Sequence, residues 1–106
     1  MPKYLVQGSY TVEGVKGLVK DGGSKRRAVL DQLIKDQGGT LEAFYFAFGE
    51  NDVYAIVDLP DNVSAGAISL AVGASGAVQI KTTVLLTAEE MDQVVQKRVN
   101  YTPPGQ

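Results

Sequence analysis

Lys81 is the side chain in this sequence whose type and position point most directly to chemistry. It lies in the middle of an alternating segment, residues 77–86, with Gln79 and Thr83 on the same side of the predicted strand. A lysine buried on a sheet face loses its charge unless an acid, water or a ligand anion faces it. Such a lysine can bind an anion or act as a base or nucleophile. The alternative is that Lys81 lies on an edge strand and prevents unwanted strand pairing.

A second candidate is the basic triplet Lys25, Arg26 and Arg27. The triplet follows Ser24, which we expect to cap a helix over residues 25–37. Cations in the first turn of a helix oppose its dipole, so an anion or an acidic partner would compensate them. The triplet is therefore predicted to contact an anion or a partner. The alternative is a solvated cluster that is paired within the chain.

Carboxylates occur in two turns, and neither has the spacing of a known metal site. The turn at residues 49–52, GEND, combines residue types that favour turns for backbone reasons alone. In the second turn, Asp58 and Asp61 flank Pro60, and Asp61 is expected to be the N-cap of the next helix. We predict no metal site; a hard cation held by these carboxylates is the alternative.

The sequence has no histidine and no cysteine, which excludes several mechanisms. A thiolate nucleophile, a Ser-His-Asp triad, a tetrahedral zinc site and histidine-ligated haem all need one of these residues. Gly17 and Gly22 have the spacing of a phosphate loop, but Gly23 stands where that loop requires lysine. We therefore expect no cofactor.

Length and composition indicate one ordinary globular domain. The chain has 106 residues, 44% of them hydrophobic, and a formal charge of −2. We expect a single domain over residues 1–100 and a flexible tail over residues 101–106. The charge argues against nucleic-acid binding, and no apolar run reaches the length of a membrane span. The start of the sequence lacks an apolar signal core and cysteine is absent, so we expect a cytoplasmic protein.

Periodicity predicts the elements that position these residues. Strands are expected at residues 3–10, 40–48, 53–59 and 77–86, and helices at residues 12–20, 25–37 and 62–76, with a last helix from Thr87. Thr87 and Glu90 have the spacing of a capping box. The order β-α-β-β-α-β, with an extra C-terminal helix, predicts an α+β, ferredoxin-like fold. Its four-stranded antiparallel sheet carries helices on one face only.

The face of the sheet opposite the helices is predicted to be strongly apolar. Strict alternation gives the helices the smaller side chains: Val6, Gly8, Ala43, Ala47, Val53, Ala55, Val57, Val78 and Ile80. The other face, called the open face below, then carries Leu5, Phe44, Phe46, Phe48, Tyr54 and Ile56. A monomer rarely exposes such a patch. We therefore predict a homodimer or higher assembly, in which two sheets pack as a dimeric α+β barrel.

The open face is also the predicted ligand site. Its candidate residues are Gln7, Ser9, Phe46, Tyr54, Lys81 and Thr83. Apolar walls with a few polar groups are typical of small-molecule pockets. We expect a small, partly apolar, anionic ligand near Lys81.

Three segments resemble the bacterial GYD-domain proteins, and the resemblance extends along nearly the whole chain. They are SYTVEGVKGL at 9–18, FYFAFGENDVYAIVDLPD at 44–61 and GAVQIKTTVLLTAEE at 76–90. Gly49 and Asp52 match the turn that names the family, whereas Asn51 stands where its aromatic residue is expected. The resemblance implies a dimeric ferredoxin-like fold and supplies no activity.

Two functions are compatible with these residues. The first is a non-catalytic small-molecule-binding or accessory protein that forms a homodimer. The alternative is a cofactor-independent isomerase or monooxygenase acting on a small aromatic or enolic substrate, with Lys81 and Tyr54 as its polar groups. A purely structural assembly module is a third class, which would need no cavity.

Overall fold

Four strands and four helices follow one another in the order that the sequence predicts. The computed structural model describes all 106 residues. The strands are β1 (Lys3–Tyr10), β2 (Thr40–Phe46), β3 (Val53–Asp58) and β4 (Val78–Leu85). The helices are α1 (Val12–Asp21), α2 (Gly23–Asp36), α3 (Asn62–Ala74) and α4 (Ala88–Gln96). None of the four helices combines the length and apolarity that crossing a membrane requires.

The strands form one antiparallel sheet in the order β2-β3-β1-β4. β1 and β3 are therefore the central strands, and β2 and β4 are the edges. Gln7 of β1 lies between Tyr54 of β3 and Lys81 of β4. This order and the helices between the strands confirm the predicted α+β, ferredoxin-like arrangement.

The core lies between the sheet and the helices α2 and α3. Tyr4 and Val57 from the central strands and Ile34 from α2 are almost fully buried there. The Tyr4 hydroxyl donates a hydrogen bond of 2.6 Å to Oδ1 of Asn62 at the start of α3. Burial raises the pKa of Tyr4, so this phenol stays protonated at neutral pH.

Two predicted helix caps are confirmed and one is wrong. Asp61 accepts a hydrogen bond of 2.8 Å from the amide of Ser64, and Thr87 and Glu90 form the predicted capping box. Ser24 does not cap α2, because the helix already begins at Gly23. Gly22 occupies the N-cap position with φ of 81°, a left-handed conformation that favours glycine, so α1 and α2 meet without a linker.

The predicted faces of β2 are wrong beyond residue 41. A β-bulge between Leu41 and Ala43 adds one residue to the strand, which reverses the alternation after it. Phe44 and Phe46 consequently pair with Ala55 and Val53 and face the helices. Ala43, expected under the helices, lies on the open face instead, and Phe48 lies beyond the end of the strand.

Candidate functional site

A cavity of about 300 Å³ lies between the helices and the sheet. Its floor is formed by side chains of β1, β3 and β4, such as Val6, Ala55 and Ile80. Leu30 of α2 and Val72 of α3 belong to its two walls. Eighteen of its 22 lining residues are hydrophobic. The volume lies at the lower end of the range for small-molecule pockets.

Small residues keep this space open. Alanines at positions 55, 65, 71 and 77 contribute to the lining where longer side chains could fill the gap between α2, α3 and the sheet. A helix with as many small residues as α3 can pack closely on a sheet. α3 does pack on β4, but α2 packs mainly on β2, so the two helices lie over opposite edges of the sheet. The cavity occupies the gap between them.

Most polar groups in the lining already have partners. Ser69 donates from Oγ to the backbone carbonyl of Ala65 at 2.9 Å, and its Oγ lies 2.9 Å from Oγ1 of Thr82. Ser75 donates to the carbonyl of Val72. Neither serine has an adjacent base, so neither is arranged as a nucleophile.

Arg26 is the only charged residue in the lining. It is half-buried near the N-terminal end of α2, and its guanidinium group forms no ion pair or hydrogen bond within the chain. The phenol of Tyr10 is a further polar group of the lining. A cavity with apolar walls and one unpaired arginine in its lining is suited to a molecule with an apolar body and an anionic group.

The basic triplet therefore separates in the structure. Lys25 lies 3.4 Å from Oδ1 of Asp21 through its Nζ atom, an ion pair within the chain. Arg27 lines a second, smaller pocket with Asp31 and Leu41, outside the apolar cavity. Of the three basic residues, Arg26 alone lines the cavity.

Five of the six predicted ligand residues share the open face: Gln7, Ser9, Tyr54, Lys81 and Thr83. The sixth, Phe46, is wrongly placed by the sequence, because the bulge turns it toward the helices. Its ring lies near Gly23 at the start of α2.

Lys81 is exposed on the edge strand β4. This is the position assumed by the alternative interpretation, in which Lys81 prevents unwanted strand pairing. None of the five open-face residues lines the cavity, so a pocket at Lys81 stays a prediction.

An ion-pair cluster on the open face was not predicted. Nζ of Lys3 lies 2.9 Å from Oδ1 of Asp58 and also contacts the carboxylate of Glu42. The hydrogen bonds to Glu42 and Asp58 raise the pKa of Lys3 above its ordinary value. The alternation of β1 and β3 could have predicted the pair of Lys3 and Asp58. It could not have predicted the contact with Glu42, because Glu42 lies in the bulge, where the alternation of β2 breaks down.

Comparison with known proteins identifies the family. The family model described as the GYD domain matches residues 4–95 of the 106-residue chain. The chain belongs to the GYD domain family. This confirms the resemblance seen in the sequence. No curated protein and no solved structure matches the chain.

The GYD turn at residues 49–52 has a structural role in this chain. Oδ2 of Asp52 accepts a hydrogen bond of 2.8 Å from the amide of Tyr10, and the amide of Asp52 donates to the carbonyl of Gly8. Asp52 thereby attaches the turn to the end of β1. No three acidic, histidine or cysteine side chains are grouped as a metal site would require.

Asn51, which replaces the expected aromatic residue of the GYD turn, connects two open-face residues. Its Oδ1 accepts a hydrogen bond of 3.2 Å from Oγ of Ser9, and its Nδ2 donates to the Tyr54 hydroxyl at 3.4 Å. These contacts fix the polar end of the open face. They use Ser9 and Tyr54 as partners of the turn rather than leaving both free for a ligand.

Proposed function

We propose that this GYD protein is a non-catalytic binding protein for a small, partly apolar, anionic molecule, held in the cavity between the helices and the sheet. The observation that carries the proposal is an apolar cavity of about 300 Å³ whose single charged lining residue, Arg26, has no partner within the chain. The ligand class is the one expected from the sequence. The site is different, because the cavity lies on the other side of the sheet from Lys81.

The apolar lining supplies the affinity for such a ligand. Each methylene group moved from water into the cavity contributes about 0.8 kcal/mol before the cost of association is subtracted. A charge-assisted hydrogen bond to Arg26 then fixes the orientation of the ligand and contributes about 1.5–3 kcal/mol.

The groups around the cavity support binding rather than catalysis. The lining contains no carboxylate, and Ser69 and Ser75 donate to carbonyl oxygens of their own helix. The titratable side chains of the lining are Tyr10 and Arg26, and neither has a hydrogen-bonded acid or base beside it with which to share a proton. Lys81 and Tyr54, the polar groups named for an isomerase or monooxygenase, lie on the open face.

Calorimetry with octanoate and 1-octanol tests the proposal. Octanoate has the apolar chain and the anionic group, whereas 1-octanol keeps the chain and lacks the charge. We expect octanoate to bind once per chain, and chemical shift changes to map to the methyl groups of Leu30, Val72 and Ile80. Val72→Phe, which fills the cavity, should reduce binding of both compounds. Absence of octanoate binding at millimolar concentration, or shift changes confined to the open face, would contradict the proposed site.

A matched pair of variants tests the role of Arg26. Arg26→Met keeps a long apolar side chain and removes the charge at the cavity, and Arg27→Met makes the same change one residue away. We expect Arg26→Met to weaken octanoate binding by about 10- to 100-fold, the loss of one charge-assisted hydrogen bond, and to leave 1-octanol binding unchanged. Arg27→Met should change neither. Equal effects of the two variants would show that net charge, rather than a contact in the cavity, attracts the anion.

A further inference from the structure

Ser69 of α3 and Thr82 of β4 form a polar spot in the otherwise apolar lining of the cavity, called the hydroxyl pair below. Their Oγ and Oγ1 atoms lie 2.9 Å apart, and Oγ of Ser69 also lies 2.9 Å from the backbone carbonyl oxygen of Ala65. A hydroxyl group has one proton to donate and two lone pairs that accept. The directions of these hydrogen bonds therefore decide what the hydroxyl pair offers to a ligand.

The protons of the two hydroxyl groups can be assigned from their partners. The carbonyl of Ala65 can only accept, so Ser69 donates its proton there. Ser69 then has no proton left for Thr82, and the contact between the two hydroxyl groups requires Thr82 to donate to Ser69. Oγ1 of Thr82 receives no hydrogen bond in return from any group of the chain. It consequently keeps a free lone pair, which accepts a hydrogen bond.

The hydroxyl pair and Arg26 lie on opposite sides of the cavity. Arg26 is one turn beyond Gly23, which lies near the Phe46 ring of β2, whereas Thr82 is on β4. β2 and β4 are the two edges of the sheet, three strand spacings or about 14 Å apart. An extended chain of about eight carbons spans about 9 Å, and the side chains of Arg26 and Thr82 occupy part of the remaining distance. A ligand whose anionic group binds Arg26 can thus bring the far end of such a chain to the hydroxyl pair.

The position of Thr82 determines which group is favoured at that far end. Thr82 is exposed although it lines the cavity, so the hydroxyl pair lies where the cavity opens to solvent at the edge strand β4. A polar group placed there does not have to enter the apolar interior. A group that only accepts hydrogen bonds, such as an ether or a second carboxylate, meets a lone pair of Thr82 and gains nothing. A group that donates a hydrogen bond is complementary to it.

We propose that the ligand carries a hydroxyl group at the end opposite its anionic group, and that Thr82 selects it by accepting a hydrogen bond. The ligand class is a hydroxy acid of about eight carbons, with the hydroxyl at or next to the last carbon. This inference rests on the proposed function and specifies the ligand of the same cavity. It makes Thr82 a specificity-determining residue and leaves the anionic group to Arg26.

Two probes that differ by one methyl group test the inference by calorimetry. The last oxygen of 8-hydroxyoctanoate donates a hydrogen bond, whereas that of 8-methoxyoctanoate can only accept. We expect the wild type to bind 8-hydroxyoctanoate about 3- to 10-fold more tightly, the range for one hydrogen bond whose groups would otherwise bind water.

A matched pair of variants shows whether Thr82 causes this preference. Valine has the shape of threonine without its hydroxyl group. Thr82→Val should abolish the preference for 8-hydroxyoctanoate and leave octanoate binding unchanged. The control is Thr40→Val, at an exposed threonine on the other edge strand that does not line the cavity, and it should change neither.

Ser69→Ala tests the assigned direction of the hydrogen bonds. The substitution removes the acceptor of the Thr82 proton, so Thr82 becomes able to donate to a ligand. Binding of 8-methoxyoctanoate should then tighten by about 3- to 10-fold, toward that of 8-hydroxyoctanoate. A Ser69→Ala protein that discriminates between the two probes as the wild type does would overturn the assignment.

Octanoate, measured in the same series, separates this inference from the proposed function. If octanoate binds in the cavity but the wild type does not prefer 8-hydroxyoctanoate, the inference is wrong and the proposed function stands. The same holds if the preference persists in Thr82→Val, because it then comes from the size of the methoxy group. If neither octanoate nor 8-hydroxyoctanoate binds, both the inference and the proposed function are wrong.

Discussion

The two faces of the sheet differ in what covers them, although the same four strands form both. On the helix side, Tyr4, Ala55 and Val57 are buried beneath α2 and α3. On the open face their chain neighbours Leu5, Tyr54 and Ile56 are only half-buried. The helix side contains the monomer's core and cavity, whereas the open face still has apolar area to bury. Substitutions one residue apart can therefore separate folding from the association that the sequence predicts.

Val57→Asp and Ile56→Asp give the largest expected difference between the faces. Val57 is fully buried in the core, so an aspartate there should destabilise the fold by about 4 kcal/mol or more and abolish the cooperative unfolding transition. Ile56→Asp should cost the fold about 1 kcal/mol and instead shift the light-scattering mass to that of one chain. Loss of cooperative unfolding in both variants, measured in urea, would contradict the assigned separation of roles.

A smaller difference in stability is expected between two glycine substitutions in α1, one on its packed side and one on its exposed side. A Cβ atom at Gly14 would lie 2.1 Å from the carbonyl oxygen of Ala77, a backbone atom that cannot move freely, whereas nothing lies within 4 Å of one at Gly17. Gly14→Ala should lower the free energy of unfolding by about 1–3 kcal/mol. Gly17→Ala should raise it by up to about 1 kcal/mol, since alanine is the better helix former. Thermal denaturation of both variants measures the two shifts, which should have opposite signs.

The smallest expected effect concerns pH at the start of α3. The hydrogen bond from the Ser64 amide lowers the pKa of Asp61 in the folded state. The stability contributed by this cap is therefore present above the ordinary carboxyl pKa and is lost as the pH falls through the lower, folded value. Asp61→Asn keeps the capping oxygen and removes the titration. Urea denaturation between neutral and acidic pH should accordingly show a shallower loss of stability for Asp61→Asn than for the wild type.

Local signals predicted most of the fold. Turn residues, caps and alternation are encoded within a few positions of one another, which is why Asp61 and the Thr87 capping box were found from sequence. The bulge at residues 41–43 has no such signal in its residue types, and a single extra residue reverses every later side chain of β2. The error at Phe46 follows from that one position.

The cavity could not be predicted, because it depends on which strands two helices pack against rather than on any motif. The sequence singled out Arg26 as part of a basic triplet but could not separate it from Lys25 and Arg27. Their different surroundings arise from the packing of α2 on β2 and from the ion pair of Lys25 with Asp21. The small residues of α3 were visible in the sequence as a sign of how this helix meets the sheet. They indicated close packing equally well, so they did not distinguish a filled interface from an open one.

The central position of β1 has a consequence for synthesis on the ribosome. This strand leaves the ribosome before the other three, yet its register partners are in β3 and in β4, as far along the chain as Leu85. The nascent chain can form α1, α2 and the β2–β3 hairpin early, but β1 keeps one unpaired edge until β4 emerges. Long-range pairings of this kind form slowly and leave an unpaired strand available to other chains. The vulnerable period in the synthesis of this domain is therefore the interval between the emergence of β1 and that of β4.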